Sequence, residues 1–330
     1  LMNSFYTHSD TEAALMNNEN IISFEQHRFP RINSETTQMY KESNDNSYPP
    51  GHGDLLLSLK TTGLSDRLLE KGIRFLFISN ADNLGATLDL SILGYMAKDG
   101  IPFLMETTQK TESDVKGGVV IRYKDQLKLM ERMQVPSDYL NEFEDITKFQ
   151  NFNTNNIWID LEAYTKQFDP KHSTLPVIVN PKLINDVRII QLETALGAAV
   201  ELFKNTKTIL VDRSRFFPVK KNSDLIVLRS DAVEFSPAGE LSWNSSHVPR
   251  VNLSQDYDEL TSFEALVSQI PSLKNCIELT VSGPVKFGEN VMIEGNVSIV
   301  TDETYQLENI KLSNKAVVIK NGELRVTDLD

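Results

Sequence analysis

A histidine between two glycines is the first group in this sequence that could do chemistry. His52 lies in the string PPGHGD over residues 49–54, where two prolines stiffen the preceding chain. The flanking glycines let the backbone approach a ligand closely or adopt a positive φ. An imidazole on such a loop is badly placed for a core, so it could hydrogen-bond a bound polar group. A surface turn explains the string equally well.

A second polar string follows a short apolar run. Residues 73–79 (IRFLFIS) have the composition of a buried strand, and Asn80 and Asp82 come directly after it. Ligands of open α/β sheets bind beyond the carboxyl ends of strands, and Mg²⁺ prefers one or two carboxylates together with phosphate oxygens. Asp82 could instead cap the next helix. Because Thr87 and Asp89 lie nearer the start of that helix, we favour a magnesium ligand.

Amides and cations form two further strings. Residues 152–156 (FNTNN) place three amides and a hydroxyl before an apolar run, and such groups suit the hydroxyls of a sugar. Residues 213–221 (RSRFFPVKK) place four cations beside a predicted strand end in an acidic chain, which indicates an anion site. A polar turn and a solvated cationic edge are the respective alternatives, and neither string decides by itself.

The composition restricts the class of protein and its partners. The chain has 330 residues, which indicates two domains, and a formal net charge of −13, which argues against nucleic acid as a partner. No apolar run approaches the roughly 18 residues of a membrane span, so we expect no membrane partner. The single cysteine, Cys276, excludes an internal disulfide framework and favours a cytoplasmic protein. The five histidines show no metal-binding spacing.

Short strands alternate with helices over residues 1–230, which predicts an α/β domain there. The strand–helix–strand order predicts a mostly parallel sheet with helices on both faces. The clearest helical spacing, with apolar residues at i, i+3, i+4, i+7 and i+8, covers residues 190–204. The other predicted elements are a helix over 88–98, strands over 73–79, 101–105, 156–159, 175–179 and 208–211, and a hairpin of 119–123 with 127–131.

The apolar period changes to six residues in the C-terminal part. One ladder comprises residues 279, 285, 291 and 297, a second comprises 281, 287, 293 and 299, and the spacing returns at Leu312, Val318 and Leu324. This period fits one face of a triangular parallel β-helix better than evenly spaced antiparallel strands. We predict a linker over residues 231–256 and a β-helix domain over residues 257–330, opened by a helix over 257–269.

Eight strings, in order along essentially the whole chain, match one family. They are LMNSF at 1–5, FEQHRFPRI at 24–32, YPPGHGD at 48–54, FISNADNLGATLD at 77–89, DVKGG at 114–118, FNTNNIW at 152–158, QLETALGAA at 191–199 and RSRFFPVKKNSDL at 213–225. The sequence resembles the UTP–glucose-1-phosphate uridylyltransferase (UDP-glucose pyrophosphorylase) family. The resemblance implies a Rossmann-like, GT-A-like nucleotidyltransferase domain, with a mixed sheet and helices on both faces, and a C-terminal left-handed parallel β-helix.

The resemblance also implies a reaction. A phosphate oxygen of glucose 1-phosphate attacks the α-phosphorus of UTP, which gives UDP-glucose and pyrophosphate. Mg²⁺ is the implied cofactor, and positioning with charge neutralisation takes the place of a general base. Lys220 is the implied catalytic residue, and Asp82 is the implied metal ligand. The implied nucleotide-binding residues are Gln26, Gly51 and Asp82, and the implied substrate-binding residues are His52, Asn80, Gly117, Asn153 and Asn155.

One family motif has no counterpart. Family members begin their catalytic domain with a glycine-rich loop, GGLGTxMG followed by GPKS, whereas this chain opens at Leu1 in the next family strand. We therefore expect one piece of a longer enzyme, weakly active or inactive by itself. The alternatives are a non-catalytic shortened homologue that serves as an oligomer subunit, and a pyrophosphorylase for another sugar 1-phosphate. Contacts through the β-helix could form a homo-oligomer.

Overall fold

The computed structural model describes residues 1–16, 18–41, 46–111, 114–237 and 239–329, and the chain forms two units. Unit 1 consists of Leu1–Asn80 and Leu88–Asp212, and unit 2 consists of Ala81–Thr87 and Arg213–Asp330. The two units are compact parts of the chain and do not test the predicted domain boundaries. The catalytic domain over 1–230, the linker and the β-helix domain stay predictions. No helix in the described ranges is both long enough and apolar enough to cross a bilayer.

Unit 1 combines short strands with six α-helices in its described residues. The strands are β1 (Met2–Asn3), β2 (Phe24–Glu25), β3 (Phe29–Pro30), β4 (Ile32–Asn33), β5 (Ser47–Tyr48), β6 (Phe75–Ile78), β7 (Phe103–Gln109), β8 (Val119–Tyr123), β9 (Gln126–Met130), β10 (Asn151–Asp160), β11 (Val177–Ile184), β12 (Val187–Thr194) and β13 (Lys207–Leu210). The helices are α1 (His8–Leu15), α2 (Leu55–Thr61), α3 (Leu64–Glu70), α4 (Leu90–Asp99), α5 (Leu140–Glu144) and α6 (Leu161–Gln167).

A four-stranded mixed sheet, with the order β13-β7-β10-β6, lies in the core of unit 1. β13 is parallel to β7, but β10 runs antiparallel to both β7 and β6. The prediction of a mostly parallel sheet is therefore wrong, because β10 inserts between the two strands that α4 connects. Phe103 and Met105 are buried with α2 and α6, whereas Leu104 and Trp158 are buried with α4. Helices thus cover both faces of the sheet, as predicted.

Most of the predicted elements of unit 1 form, with different ends. The strands predicted over 73–79, 101–105, 156–159, 175–179 and 208–211 are β6, β7, β10, β11 and β13, and the predicted hairpin is β8 with β9. The predicted helix over 88–98 is α4. Asp89 caps this helix by accepting hydrogen bonds from the N–H groups of Ser91 (2.8 Å) and Ile92 (3.2 Å).

The helix predicted over residues 190–204 is wrong. Residues Val187–Thr194 form β12, which pairs antiparallel with β11 along its whole length, and a 3₁₀ turn over Leu196–Glu201 follows. Asn185 and Asp186 connect the two strands with φ of 49° and 62°, the left-handed pair that a tight hairpin turn requires. This turn brings β11 against β12, so strand pairing overrides the helical spacing of the apolar residues.

Unit 2 consists mainly of strands. They are β14 (Val233–Phe235), β15 (Leu241–Trp243), β16 (Arg250–Leu253), β17 (Ser272–Ser282), β18 (Val285–Phe287), β19 (Val291–Thr301), β20 (Tyr305–Leu307), β21 (Ile310–Lys320) and β22 (Glu323–Asp328). The α-helices are α7 (Asn222–Leu228) and α8 (Leu260–Leu266). Three of these strands lie within residues 231–256, which were predicted as a linker, and α8 is shorter than the helix predicted over 257–269. Ala238 lies outside the described residues.

The six-residue ladders of unit 2 are buried in a stack of parallel strands. β16, β17, β19 and β21 pair in parallel in that order, β18 pairs in parallel with β20, and β22 is antiparallel to β21. Leu279 lies opposite Val297, and Val281 lies opposite Ile299, so stacked partners are eighteen positions apart. All eight side chains of the two ladders are buried. The predicted parallel stacking is confirmed for these strands.

The continuation of the ladder is wrong at Val318. This side chain is 49% exposed, whereas Val317 beside it is buried. The register shifts within β21, because five positions separate Leu312 from Val317, and six separate their partners Ile293 and Ile299 in β19. One residue fewer on one strand turns the following side chains to the opposite face. Even spacing along the sequence could not reveal this shift.

Gly283, between β17 and β18, allows a test of the stack. It has φ of +97°, and a Cβ built on it would overlap the backbone oxygen of Thr301. We expect Gly283→Ala to lower the free energy of unfolding by about 2–4 kcal/mol, because the backbone must shift as well as keep a strained φ. Gly322→Ala is the matched control, since Gly322 has φ of +74° in open space. The control should cost about 1–2 kcal/mol. Equal losses in urea unfolding would contradict the packing argument.

Candidate functional site

The string that contains His52 forms a tight loop against the end of β12. The N–H of Thr194 donates to the backbone oxygen of Pro50 at 2.9 Å. Gly51 has φ of +86°, and a Cβ on it would lie 2.7 Å from the Thr194 oxygen. Both the conformation and the space therefore require glycine. This close contact with β12 argues against a loose surface turn.

The chain after β12 also binds the His52 ring. The N–H of Leu196 donates to His52 Nδ1 at 3.1 Å. Because Nδ1 accepts this bond, the neutral ring carries its proton on Nε2, which is available as a donor. The residue reaches solvent, but the protein around its ring displaces water that would solvate the charged form, and this lowers the pKa of His52. Desolvation of the ring thus favours its neutral form, in which Nε2 is the donor.

A bulge in β10 directs Asn155 towards His52. Asn153 lies opposite Thr107 of β7, and Ile157 lies opposite Met105, so three residues of β10 face one residue of β7. Asn155, in the middle of the bulge, has φ of 62°, a conformation that asparagine adopts more readily than most residues. The bulge removes the Asn155 side chain from the regular alternation of the strand.

The Asn155 amide connects two of the predicted residues. Its Nδ2 donates to Asn80 Oδ1 at 2.6 Å and lies 3.5 Å from His52 Nδ1. Its Oδ1 is buried and has no hydrogen-bond partner among the residues that the structure describes. Buried polar atoms are nearly always paired in folded proteins, so this oxygen indicates a place for a donor from a ligand.

Gly117 and Asn153 belong to the same connected set. The N–H of Asn153 donates to the Gly118 oxygen at 2.8 Å, and Asn153 Oδ1 accepts from the N–H of Asn155 at 2.9 Å. A Cβ on Gly117 would lie 2.9 Å from the ring of Phe152, so the backbone there packs directly on the strand that bears the amides. The structure thus brings the predicted substrate-binding residues together within unit 1.

Gln26 is joined to the His52 loop through a buried carboxylate. Its side-chain Oε1 is buried and unpaired within the described ranges. The next residue, His27, donates from its N–H to Asp54 Oδ2 at 2.8 Å, and its Nδ1 lies 2.9 Å from Asp54 Oδ1. Ser58 donates to the same carboxylate at 2.8 Å. Asp54 therefore positions the Gln26 segment relative to His52.

Sequence reasoning did not identify several residues of this set. The helical spacing places Leu196 inside a helix, and the PPGHGD string gives no sign of a role for Asp54. A Cβ on Gly197 would lie 2.8 Å from Asn153 Nδ2, so this glycine leaves room for the amide. Glu131 lies against Gly118, and burial raises the pKa of its carboxyl group. These contacts join distant parts of the chain, and no local pattern indicates them.

Asp82 and Lys220, the implied metal ligand and catalytic residue, lie in unit 2. The N–H of Val219 donates to the backbone oxygen of Asp82 at 2.9 Å, so their segments run side by side. The N–H groups of Lys220 and Lys221 donate to Asp224 Oδ2 at 2.7 and 2.9 Å at the start of α7. The backbone of Lys220 is thus fixed, while the residue itself is exposed.

Part of the cationic string has a structural role. Asn83 Oδ1 accepts from the N–H of Phe217 at 2.7 Å, and Asn83 Nδ2 donates to the Arg215 oxygen at 3.1 Å. The Arg215 guanidinium donates to the backbone and hydroxyl oxygens of Thr87 at 2.9 and 3.2 Å. Arg215 therefore fastens residues 81–87 to the segment that leads to Lys220.

The described residues supply little of a metal coordination sphere. No group of three His, Cys, Asp or Glu side chains suited to a metal ion occurs among them. Asp89 caps α4, so Asp82 does not cap this helix. A single carboxylate fits Mg²⁺ where phosphate oxygens and water provide most of its ligands.

Comparison with known proteins identifies the family. A family model described as UTP–glucose-1-phosphate uridylyltransferase matches residues 1–294. The chain belongs to the UTP–glucose-1-phosphate uridylyltransferase family. One member, the UTP–glucose-1-phosphate uridylyltransferase of Encephalitozoon cuniculi, is 42% identical over 310 residues, which are 92% of this chain and 63% of the relative. The chain therefore spans less than two thirds of that relative's length.

Solved structures of other uridylyltransferase-family proteins have the same fold. The UDP-glucose phosphorylase of Trypanosoma brucei is 38% identical and superposes with a TM-score of 0.85, over 97% of this chain and 76% of that one. A mutant UDP-glucose pyrophosphorylase of Leishmania major in complex with UDP-glucose is 35% identical, with a TM-score of 0.85 over 96% of this chain and 74% of that one. The resemblance drawn from the eight strings is confirmed.

The lowered pKa of His52 predicts a pH dependence of stability. Below the unfolded value of about 6.5, the unfolded chain binds a proton that the folded chain does not, so this residue lowers stability as the pH falls from about 7 to 5. We expect His52→Gln to lose less free energy of unfolding over this range than the wild type, measured by urea unfolding at each pH. His8→Gln, at a ring that lies 3.3 Å from the neutral amide of Asn3, is the control. Identical pH slopes for wild type and His52→Gln would contradict the burial argument.

Proposed function

We propose that this protein joins UTP and glucose 1-phosphate to form UDP-glucose and pyrophosphate, with Mg²⁺. One observation carries the proposal. In a chain of this family, the buried Asn155 Oδ1 lacks a partner within the described residues, next to the Asn80 amide and the neutral His52 ring. The Leishmania major relative in complex with UDP-glucose supports the same class of ligand here.

The uracil would be recognised by Gln26. Its buried, unpaired Oε1 suits the ring N–H of uracil, and its amide N–H₂ suits a ring carbonyl. Gly51 would face the uridine with its backbone, since the absence of a side chain lets the chain come close. The bonds of His27 to Asp54 support this arrangement, because they tie the Gln26 segment to the loop that contains Gly51.

The glucose and its phosphate would be bound by neutral groups. Asn155 Oδ1 would accept a hydrogen bond from a glucose hydroxyl, with Asn80, Asn153 and the Gly117 backbone as further partners. His52 would donate from Nε2 to a phosphate oxygen, which the tautomer set by the Leu196 N–H makes available. A set of amides discriminates hydroxyl positions through donors and acceptors that must all be paired.

The reaction requires no proton transfer. A phosphate oxygen of glucose 1-phosphate, already ionised, would form a bond to the α-phosphorus of UTP, while the bond from that phosphorus to the bridging oxygen breaks and pyrophosphate leaves in line. Unit 1 would orient the two reactants through the amides and the imidazole. The lowered pKa of His52 agrees with a neutral imidazole that donates from Nε2.

Charge neutralisation would come from Lys220 and from Mg²⁺. The Lys220 ammonium group, on an exposed side chain with a fixed backbone, would pair with phosphate oxygens. Asp82 would be the protein ligand of Mg²⁺, which when bound neutralises phosphate charge. The absence of a three-residue metal cluster from the described ranges agrees with an ion bound largely by the nucleotide.

We also propose the finer assignments that the family resemblance implies. They are a Rossmann-like, GT-A-like arrangement of unit 1, a left-handed β-helix in the C-terminal part, a homo-oligomer formed through it, and a cytoplasmic location. The eighteen-position spacing of stacked partners supports the β-helix, and its handedness rests on the resemblance. The single buried thiol of Cys276 is compatible with a reducing compartment.

Isothermal titration calorimetry of the purified chain tests the ligand. We expect UDP-glucose to bind more tightly than UDP-galactose or UDP-N-acetylglucosamine. Tighter binding of either of those two would favour a pyrophosphorylase for another sugar 1-phosphate. If no nucleotide sugar binds, the proposed function is wrong. Binding without turnover in any form of the protein would favour the non-catalytic subunit.

Gln26→Ala should weaken both UDP and UDP-glucose to the same degree. The variant removes the uracil partner and leaves the sugar amides intact, so we expect each Kd to rise about tenfold or more. Calorimetry with the two ligands measures the effect, and Gln38→Ala, at an exposed glutamine, is the control. If only the affinity for UDP-glucose fell, Gln26 would contact the sugar rather than the uracil.

Lys220→Ala should slow catalysis with little effect on binding of UDP-glucose. In a form of the protein that turns over substrate, we expect kcat to fall by about two to three orders of magnitude, as for other groups that neutralise transition-state charge. Steady-state assays of pyrophosphate release measure this, and Lys320→Ala, an exposed lysine of β21, is the control. An unchanged kcat would mean that another cation neutralises the phosphate charge, and Lys221 would be tested next.

A further inference from the structure

Glu106 is a fully buried carboxylate that the proposed reaction does not use. It lies in the middle of β7 with none of its surface exposed. Its Oε1 accepts a hydrogen bond from the indole N–H of Trp158 at 2.8 Å, and its Oε2 accepts from Nδ2 of Asn156 at 3.0 Å. A carboxylate in a core is costly unless its oxygens are paired, so this arrangement requires both donors.

Glu106 is also the residue of β7 that faces the bulge. Register passes from Asn153 opposite Thr107 to Ile157 opposite Met105, which leaves residue 106 opposite the bulged residues of β10. The backbone oxygen of Glu106 accepts from Thr154 Oγ1 at 2.9 Å, and the same hydroxyl accepts from the N–H of Asn156 at 3.2 Å. The two neighbours of Asn155 are thus bound to Glu106, one by its main chain and one by its side chain.

We propose that Glu106 is a positioning residue that sets the conformation of Asn155 for binding the sugar. This inference rests on the proposed function, in which Asn155 Oδ1 accepts from a glucose hydroxyl. Asn155 keeps φ of 62° while its two neighbours are both buried and bound. Without the bond from Glu106 to Asn156, β10 can relax towards regular pairing, and a shift of one residue turns the Asn155 side chain to the other face.

The hydrogen bond between Glu106 and Asn156 can be tested with compensating substitutions. The Trp158 indole and the Asn156 amide both donate N–H groups to the Glu106 carboxylate. Glu106→Gln therefore keeps the volume but directs an amide N–H₂ at one of these donors. Asn156→Asp instead places a second carboxylate against the first. In the double variant Glu106→Gln with Asn156→Asp, the new glutamine N–H₂ donates to the new aspartate, and the glutamine oxygen still accepts from Trp158.

The experiment compares UDP-glucose with UDP as ligands of the four proteins by calorimetry, together with the Tm of each. We expect each single variant to lose about tenfold or more in UDP-glucose affinity, while UDP affinity changes by less than about threefold. The double variant should recover UDP-glucose affinity to within about threefold of wild type. A role in stability alone would lower Tm and weaken both ligands together, so the ratio of the two affinities is the decisive readout.

The outcomes separate this inference from the proposed function. A wild type that does not bind UDP-glucose overturns the proposed function and the inference with it. A wild type that binds, with a ratio of affinities that Glu106→Gln leaves unchanged, overturns the inference alone. If the single variants do not fold, the double variant alone tests the inference. A double variant with a native Tm that binds UDP-glucose weakly would overturn it.

Discussion

Two hydrogen bonds from the end of β12 determine the geometry of the candidate site. The N–H of Thr194 fixes the loop at Pro50, and the N–H of Leu196 fixes the ring and the tautomer of His52. Both N–H groups are available only because β12 runs as a strand to Thr194 and ends there. In a helix they would bond to carbonyls four residues earlier along the same segment, and the imidazole would lose its donor. The strand is thus a requirement of the site.

The chemistry of the site residues could be predicted from the sequence better than their connections. Short strings of glycine, asparagine and histidine indicated His52, Asn80 and the amides, because those residue types carry the chemistry themselves. The six-residue ladders predicted parallel stacking, because the same positions of each successive coil carry buried apolar side chains. The roles of Glu106 and Asp54 depend on partners dozens of residues away, so no window of sequence contains them. The wrong helix has the same origin, since pairing with β11 decides the conformation of β12.

The charges of the predicted residues divide between the two units. The predicted residues of unit 1 are amides, glycines and His52, and burial of the His52 ring lowers its pKa. The two charged groups of the proposal, the carboxylate of Asp82 and the ammonium of Lys220, belong to unit 2. Recognition of hydroxyls and bases needs fixed donors and acceptors, whereas neutralising phosphate needs full charges. Asn80 and Asp82 belong to one string but to different units.

Residues 81–87 pack with a part of the chain that is translated much later. They leave the ribosome early, yet Arg215 and Phe217, which bond to Thr87 and Asn83, lie beyond residue 212. Until Arg215 and Phe217 emerge, their bonds to Asn83 cannot form, and closing such a distant contact is slow. If the gene is divided at residue 213, one product contains residues 81–87 and the other contains their partners Arg215 and Phe217, so these bonds are lost from both. To express the C-terminal part separately, residues 81–87 should therefore be added as a peptide or fused to it.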